Sequence, residues 1–164
     1  MQAGKRRARD GKQMAATREI RKSVVVAHSA PDMFSLVNDV ESYPRFLPWC
    51  SSARVMERSD TSMLASLDMA IAGLHKRVTT RNLLDPHRRV ELRQIDGPFS
   101  RFHAVWTFDE LGEAARLQTR VGFHLSYALA GRLIGMALGP VLSVVADGLV
   151  DAFCRRADAV HSQG

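Results

Sequence analysis

Apolar and polar positions alternate with a period of two through the middle of the chain and change to a spacing of three and four at its end. Met63, Ala65, Leu67, Met69 and Ile71 fall on one side and Leu64, Ser66, Asp68 and Ala70 on the other, with Gly73 marking a turn. That alternation predicts a half-buried antiparallel strand. A more polar strand around Val78 is expected between His75 and Leu84, Asp85-Pro86 turns the chain, and the next strand carries Val90 and Leu92. Phe102, Ala104, Trp106 and Phe108 then alternate with His103, Val105 and Thr107. Leu117, Thr119, Val121, Phe123, Leu125 and Tyr127 do the same against Arg116, Gln118, Arg120, Gly122, His124 and Ser126. With Ala53 to Arg58, this predicts a meander of about six consecutive strands on short turns.

Ahead of the meander, the β-branched run Val24-Val25-Val26-Ala27 predicts a first strand between Glu19 and Ser29. Ser29 can cap a helix with Pro31 at its start, and Met33, Phe34, Val37 and Val40 then share one side. A second short helical piece follows through Glu41 to Trp49, where Pro44 suits a first turn and Pro48 ends it. At the other end, Ile134, Leu138, Val141, Val145, Leu149, Ala152 and Phe153 predict one long helix from Ala130 to Val160. Gly139-Pro140 is expected to bend or break it. Leu133 to Ala146 is almost wholly apolar, but Arg132 and Asp147 bound that stretch at 14 residues. A bilayer span needs about 20, so this helix is expected to lie against something large instead. The whole order predicts an α+β grip: a curved antiparallel sheet of about seven strands wrapped around a long C-terminal helix, with two short helices after strand one.

The length of 164 residues suits one domain, expected over 19–161 behind a tail at 1–18. A balance of 46% hydrophobic and 24% charged residues excludes wholesale disorder, collagen-like repeats and a disulfide-stapled miniprotein. The net charge of +6 looks like a nucleic-acid signal until it is placed along the chain. Residues 1–22 hold eight basic residues against Asp10 and Glu19, and the remainder carries fifteen of each sign. The excess therefore belongs to the tail, expected to be a solvated extension; an arginine-rich tail of this kind can also bind RNA or an anionic bilayer. No apolar run follows its charges, so it does not read as a secretory signal and a cytoplasmic protein is expected. Met14, followed by Ala15-Ala16-Thr17, offers an alternative start that would remove most of the excess. Cys50 and Cys154 lie far apart and read as reduced, partly buried small hydrophobes.

Candidate chemistry is sparse. His28, His75, His87, His103, His124 and His161 are scattered, with no metal-ligand spacing, no Ser-His-Asp or Cys-His order and no glycine-rich phosphate loop. No catalytic residue, metal or catalytic cofactor is assigned. Met63, Met69, Met136, Gly131, Gly135 and Gly139 either pack the interior or leave space in it for a guest. Arg77, Arg81, Arg89 and Arg93 share odd parity on neighbouring strands and form either a basic patch or an ordinary solvated face.

Tyr43-Pro44-Arg45-Phe46-Leu47-Pro48-Trp49-Cys50 closely resembles the Y-P-x-F-L-P-W-C signature of the coenzyme Q-binding and RatA ribosome-association-toxin family, within the START-like polyketide cyclase/dehydrase superfamily. Asp96-Gly97-Pro98-Phe99 resembles that family's E-G-P-F turn, and Trp106-Thr107-Phe108 its W-x-F strand. Leu138-Gly139-Pro140-Val141 and Val150-Asp151-Ala152-Phe153 resemble its L-G-P-V and V-D-A-F helix pieces. The resemblance covers Ile20 to Val160, with two mild departures: Ala104 stands where glycine is usual and Thr107 where arginine is usual.

The resemblance implies a helix-grip fold and two roles that the motifs do not separate. One is a non-catalytic carrier or chaperone that binds a polyprenyl quinone, ubiquinone, in an apolar tunnel and supports respiration, peripheral to the inner membrane. For this role Met63, Leu67, Met69, Trp106, Phe123, Leu138, Leu142 and Val145 are the candidate wall. Phe46, Leu47 and Trp49 are the candidate lid, and His28, His124 or Tyr127 the candidate contact for the quinone head. The alternative is a RatA-type toxin that binds the large ribosomal subunit and blocks subunit association, with Arg77, Arg81, Arg89 and Arg93 as the RNA-facing residues. A third reading is a polyketide cyclase-like enzyme, for which the apolar-facing positions offer almost no convergent ionisable groups.

Overall fold

The computed structural model describes residues 17–112 and 116–161. Most of the tail expected over 1–18 lies outside the described residues. Seven strands follow the expected plan: β1 (Arg18–Val26), β2 (Cys50–Arg58), β3 (Ser62–Ile71), β4 (Leu74–Asp85), β5 (Arg89–Asp96), β6 (Phe99–Leu111) and β7 (Gln118–Leu129). They form one antiparallel sheet in the order β1-β7-β6-β5-β4-β3-β2, a meander with the first strand returned to the edge beside the last. Turn chemistry sets the register at the tight connections. Ala72 and Gly73 both adopt positive φ between β3 and β4, the mirror-image turn whose twist matches that of the flanking strands. Shifts of register between Cys50 and Ser52, Val55 and Glu57, and Phe99 and Arg101 are bulges that bend strands.

Between β1 and β2 lie helix α1 (Ala30–Asn38) and a 3-10 turn (Val40–Arg45). Ser29 caps α1 by accepting the Asp32 backbone N–H at 3.1 Å, with Pro31 in the first turn, which stabilises the helix by about 1 kcal/mol. Helix α2 (Arg132–His161) closes the chain and lies on the inner face of the sheet. Its inward side is Leu138, Leu142, Ala146, Val150, Phe153 and Ala157, a spacing of three and four.

Four expectations for α2 need correction. Pro140 does not break the helix, which runs as one segment through it. Proline removes only the hydrogen bond to the carbonyl of Met136. Met136 is 72% exposed, so water can serve that oxygen. Val141 was expected on the buried side, but Leu142 takes that place and Val141 faces out. Met136 does not face the interior either, since two residues on a helix separate it from Leu138 by about 200°. The apolar first half is not laid wholly against the sheet: Leu133, Met136 and Val144 are exposed, because a helix apolar all round presents more surface than one sheet face can cover. By length and composition α2 would suffice to cross a membrane.

Candidate functional site

The strand period divides the sheet residues between an inner face under α2 and an outer face in solvent. On the inner face, Trp106 lies with its ring 4.4 Å from Phe123 and 5.0 Å from Phe153. Met63, Met69, Trp106, Phe123, Leu138 and Leu142 are all buried in one core, and Leu67 and Val145 pack half-buried against it. Of these candidate wall residues, Met69, Leu138 and Leu142 meet at an apolar recess completed by Ile71, Leu74, Phe99 and Leu129, with Lys76 beside them. The recess encloses a volume of about 10 Å³, the room one water molecule needs. That recess would admit an organic guest only if side chains moved aside.

The candidate lid sits elsewhere. Leu47 is 1% exposed, and the half-buried Phe46 ring lies 5.1 Å from Phe153 and 5.8 Å from Tyr43, with the Arg156 guanidinium 5.4 Å away. Trp49 packs half-buried against the same core. Phe153 follows Leu142 by eleven residues, about 17 Å along the helix. The proline-bounded segment thus anchors the second half of α2, away from the recess. Tyr43 supports it from below: its hydroxyl donates to the Val37 carbonyl, and burial raises the phenol far above its ordinary range. Burial likewise pushes the Cys50 thiol up to about 11 and raises Cys154, so neither is a thiolate near neutral pH.

Of the candidate head contacts, His28 is held by Asp158 at 2.7 Å near the C-terminus of α2. His124 lies on the outer face, where its Nε2 has no hydrogen-bond partner. Tyr127 faces inward, is 2% exposed, and its hydroxyl has no partner among the described residues. Two inner-face polar residues went unremarked in the sequence. Thr80 and Asn82 are both buried, and the Thr80 hydroxyl donates to the Asn82 side-chain carbonyl at 2.8 Å. Their shared even parity with buried Val78 was the available signal. Among the described residues no group of three or more His, Cys, Asp or Glu is placed to hold a metal ion.

The outer face brings the four candidate arginines together. Arg81 is paired in register with Arg93, and Arg93 with His103 on the next strand. Like charges opposite one another destabilise a sheet unless something neutralises them. Carboxylates do part of that work. Arg77 donates to Asp68 at 2.7 Å, and Arg81 lies 3.6 Å from Glu57. Glu91 is shared by Arg89 at 3.2 Å, Arg93 at 2.9 Å and His103 at 2.8 Å. The His103 hydrogen bond, followed by those of the arginines, holds the Glu91 carboxyl below its ordinary value. The Arg77 and Ser52 hydrogen bonds do the same for Asp68. The four arginines are thus engaged by three carboxylates, and Asp85 stands in register with Arg89 as a fourth on the same face. None of the three carboxylates was singled out from the sequence, because an ion pair across strands depends on register.

The comparisons with known proteins agree with this architecture. The model of a family described as polyketide cyclase/dehydrase and lipid transport matches residues 26–154. A ribosome association toxin RatA from Pseudomonas aeruginosa is 42% identical over 142 residues, covering 87% of this chain and 96% of the relative. A mitochondrial coenzyme Q-binding protein coq10 from Schizosaccharomyces pombe is 27% identical over 146 residues, covering 86% and 87%. Among solved structures, the ZhuI aromatase/cyclase from Streptomyces sp. R1128 superposes with a TM-score of 0.75 at 19% identity, over 91% of this chain and 99% of the other. At that identity the likeness is one of fold. The chain belongs to the polyketide cyclase/dehydrase and lipid-transport family, with the START-like helix-grip fold, among the RatA and coenzyme Q-binding proteins.

Proposed function

We propose that the protein acts in the manner its RatA relatives are named for, binding the large ribosomal subunit at its RNA through the outer face of the sheet. The observation that carries this reading is the placing of Arg81 directly opposite Arg93, flanked by Arg77 and Arg89. A sheet that sets like charges side by side in solvent is prepared for a polyanion, and phosphates accept paired guanidinium donors well. Two further facts favour it over a quinone carrier: the apolar recess under α2 holds only about 10 Å³, and the RatA relative is the more similar of the two compared. The role is non-catalytic and places the protein in the cytoplasm. The test is co-sedimentation with purified large subunits on a sucrose gradient. The double variant Arg81→Glu with Arg93→Glu should leave the pellet; if it still co-sediments like the parent protein, this face is not the interface.

A second reading has its own support. The recess between Leu138, Leu142 and Phe99 opens onto the inner face, and the similarity to the coenzyme Q-binding relative extends along most of the chain. On this reading an apolar molecule such as a polyprenyl quinone enters between α2 and the sheet, and Met63 and Met69 move aside for it, as unbranched thioether side chains readily do. Native mass spectrometry with organic extraction, on protein from a ubiquinone-producing host, tests it directly.

A further inference from the structure

Deep on the inner face one amide donor has only a weak partner. Asn82 is 3% exposed. Its carbonyl oxygen is taken by the Thr80 hydroxyl, and among the described residues the only acceptor for its Nδ2 group is the Met63 sulfur at 3.9 Å. A thioether is a weak acceptor, and an amide donor buried without an oxygen costs about 1–3 kcal/mol. The residues in register with Asn82 offer nothing better: Met63 and Leu92 on its two sides, then Ala104 and Leu125. Leucine at position 82 would fill the same space without the penalty. A polar group kept in a core at a cost to stability calls for an explanation, and a ligand that supplies the missing acceptor is one.

We infer that the Thr80–Asn82 pair is the polar end of a ligand site on the inner face, and that it recognises a neutral, carbonyl-bearing head on an otherwise apolar molecule. The chemistry follows from the donors present. Thr80 orients the amide by occupying its oxygen, so Nδ2 is the group offered, and it requires an acceptor. Met63 and Leu92, the immediate neighbours of Asn82 in register, carry no charge, and the first charged residue in its row is Arg58, beyond Met63, so the acceptor offered to Nδ2 is best a neutral one. Lys76, at the recess, lies on the same face of β4, six residues away or about 20 Å along the strand. A ligand with its carbonyl at Asn82 and a chain of that length would reach the recess between Leu138 and Leu142. Ala65 beside Thr80 and Ala104 in the Asn82 row keep the path narrow in side-chain bulk, and Met63 is the group that must swing away.

This inference rests on the second reading above, and its test separates the two. The probes are a benzoquinone carrying two isoprene units and the matching prenylbenzene, which has the same tail and no carbonyl. Binding is read from quenching of tryptophan fluorescence and from the Asn82 side-chain amide signals in nitrogen–proton spectra. The expected result is that the parent protein binds the quinone, that the Asn82 amide proton signals move on titration, and that Asn82→Leu weakens the quinone at least tenfold while leaving prenylbenzene unchanged. Thr80→Val should weaken the quinone in the same sense. If Asn82→Leu and Thr80→Val both retain the quinone at parent affinity, the assignment of the polar end is overturned and the apolar reading survives. If the parent protein takes up neither probe, both are overturned. Should Asn82→Leu fail to fold, unmoved Asn82 amide signals in the titrated parent protein would overturn the assignment alone.

Discussion

Arg81 and Arg93 stand opposite each other across β4 and β5, and the carboxylate that neutralises Arg93 is shared with Arg89 and His103. Glu91 therefore limits the positive potential around Arg89, Arg93 and His103. Replacing it with glutamine should tighten binding to large subunits and steepen the fall of affinity with salt, because more guanidinium groups then release counterions on binding. Co-sedimentation at several salt concentrations reads both effects. Weaker binding by Glu91→Gln would show that the carboxylate shapes the interface instead of opposing it.

The same carboxyls set an acid limit to stability. Glu91 and Asp68 are held below their ordinary values of 4.5 and 3.8 in the folded protein, so the unfolded chain takes up their protons more readily. Stability from each is present above its unfolded value and is lost as pH falls through the lowered folded value. Denaturant midpoints measured downward from neutral pH should fall less steeply below about pH 4.5 in Glu91→Gln than in the parent protein.

Phe153 holds the second half of α2 to the sheet and to the proline-bounded segment. It is 2% exposed, and its ring meets Trp106, Tyr43 and Phe46 at 5.0, 5.2 and 5.1 Å. Phe153→Ala should cost about 3–5 kcal/mol in urea unfolding. Met136→Ser and Val144→Ser, on the exposed side of the same helix, should change stability by no more than about 0.5 kcal/mol.

Tyr127 offers the opposite experiment. Among the described residues its buried hydroxyl has no hydrogen-bond partner, so it contributes desolvation cost and no bond. Tyr127→Phe should leave the thermal midpoint unchanged or raise it. A clear drop would reveal a partner for the hydroxyl.

Cys50 should be chemically silent. With its thiol pushed up to about 11 by burial, alkylation by iodoacetamide at neutral pH should proceed only after denaturation. Mass spectrometry of native and urea-treated samples distinguishes the cases, and rapid labelling of the native protein would contradict the buried placement.

Much of this molecule was legible before any coordinates, and the reason is periodicity. Alternation along 63–71 and 102–108 placed Met63, Met69, Trp106 and Phe108 on one face, because successive strand residues point to opposite sides whatever they pair with. Ser29 and Pro31 announced α1 through local capping, and the spacing of Leu138, Leu149 and Phe153 announced α2. Odd parity alone put Arg77, Arg81, Arg89 and Arg93 on a shared face. The local signal was insufficient where one surface must choose among several candidates. The sequence made α2 apolar on nearly every side, and only docking decided that Leu142 goes in while Val141 and Met136 stay out. Register, which depends on how whole strands slide against each other, decided that Arg81 meets Arg93, that Glu91 serves three cations, and that the Asn82 Nδ2 meets the Met63 sulfur. Composition and period determine which residues can share a face; closure of the sheet over the helix determines which of them touch.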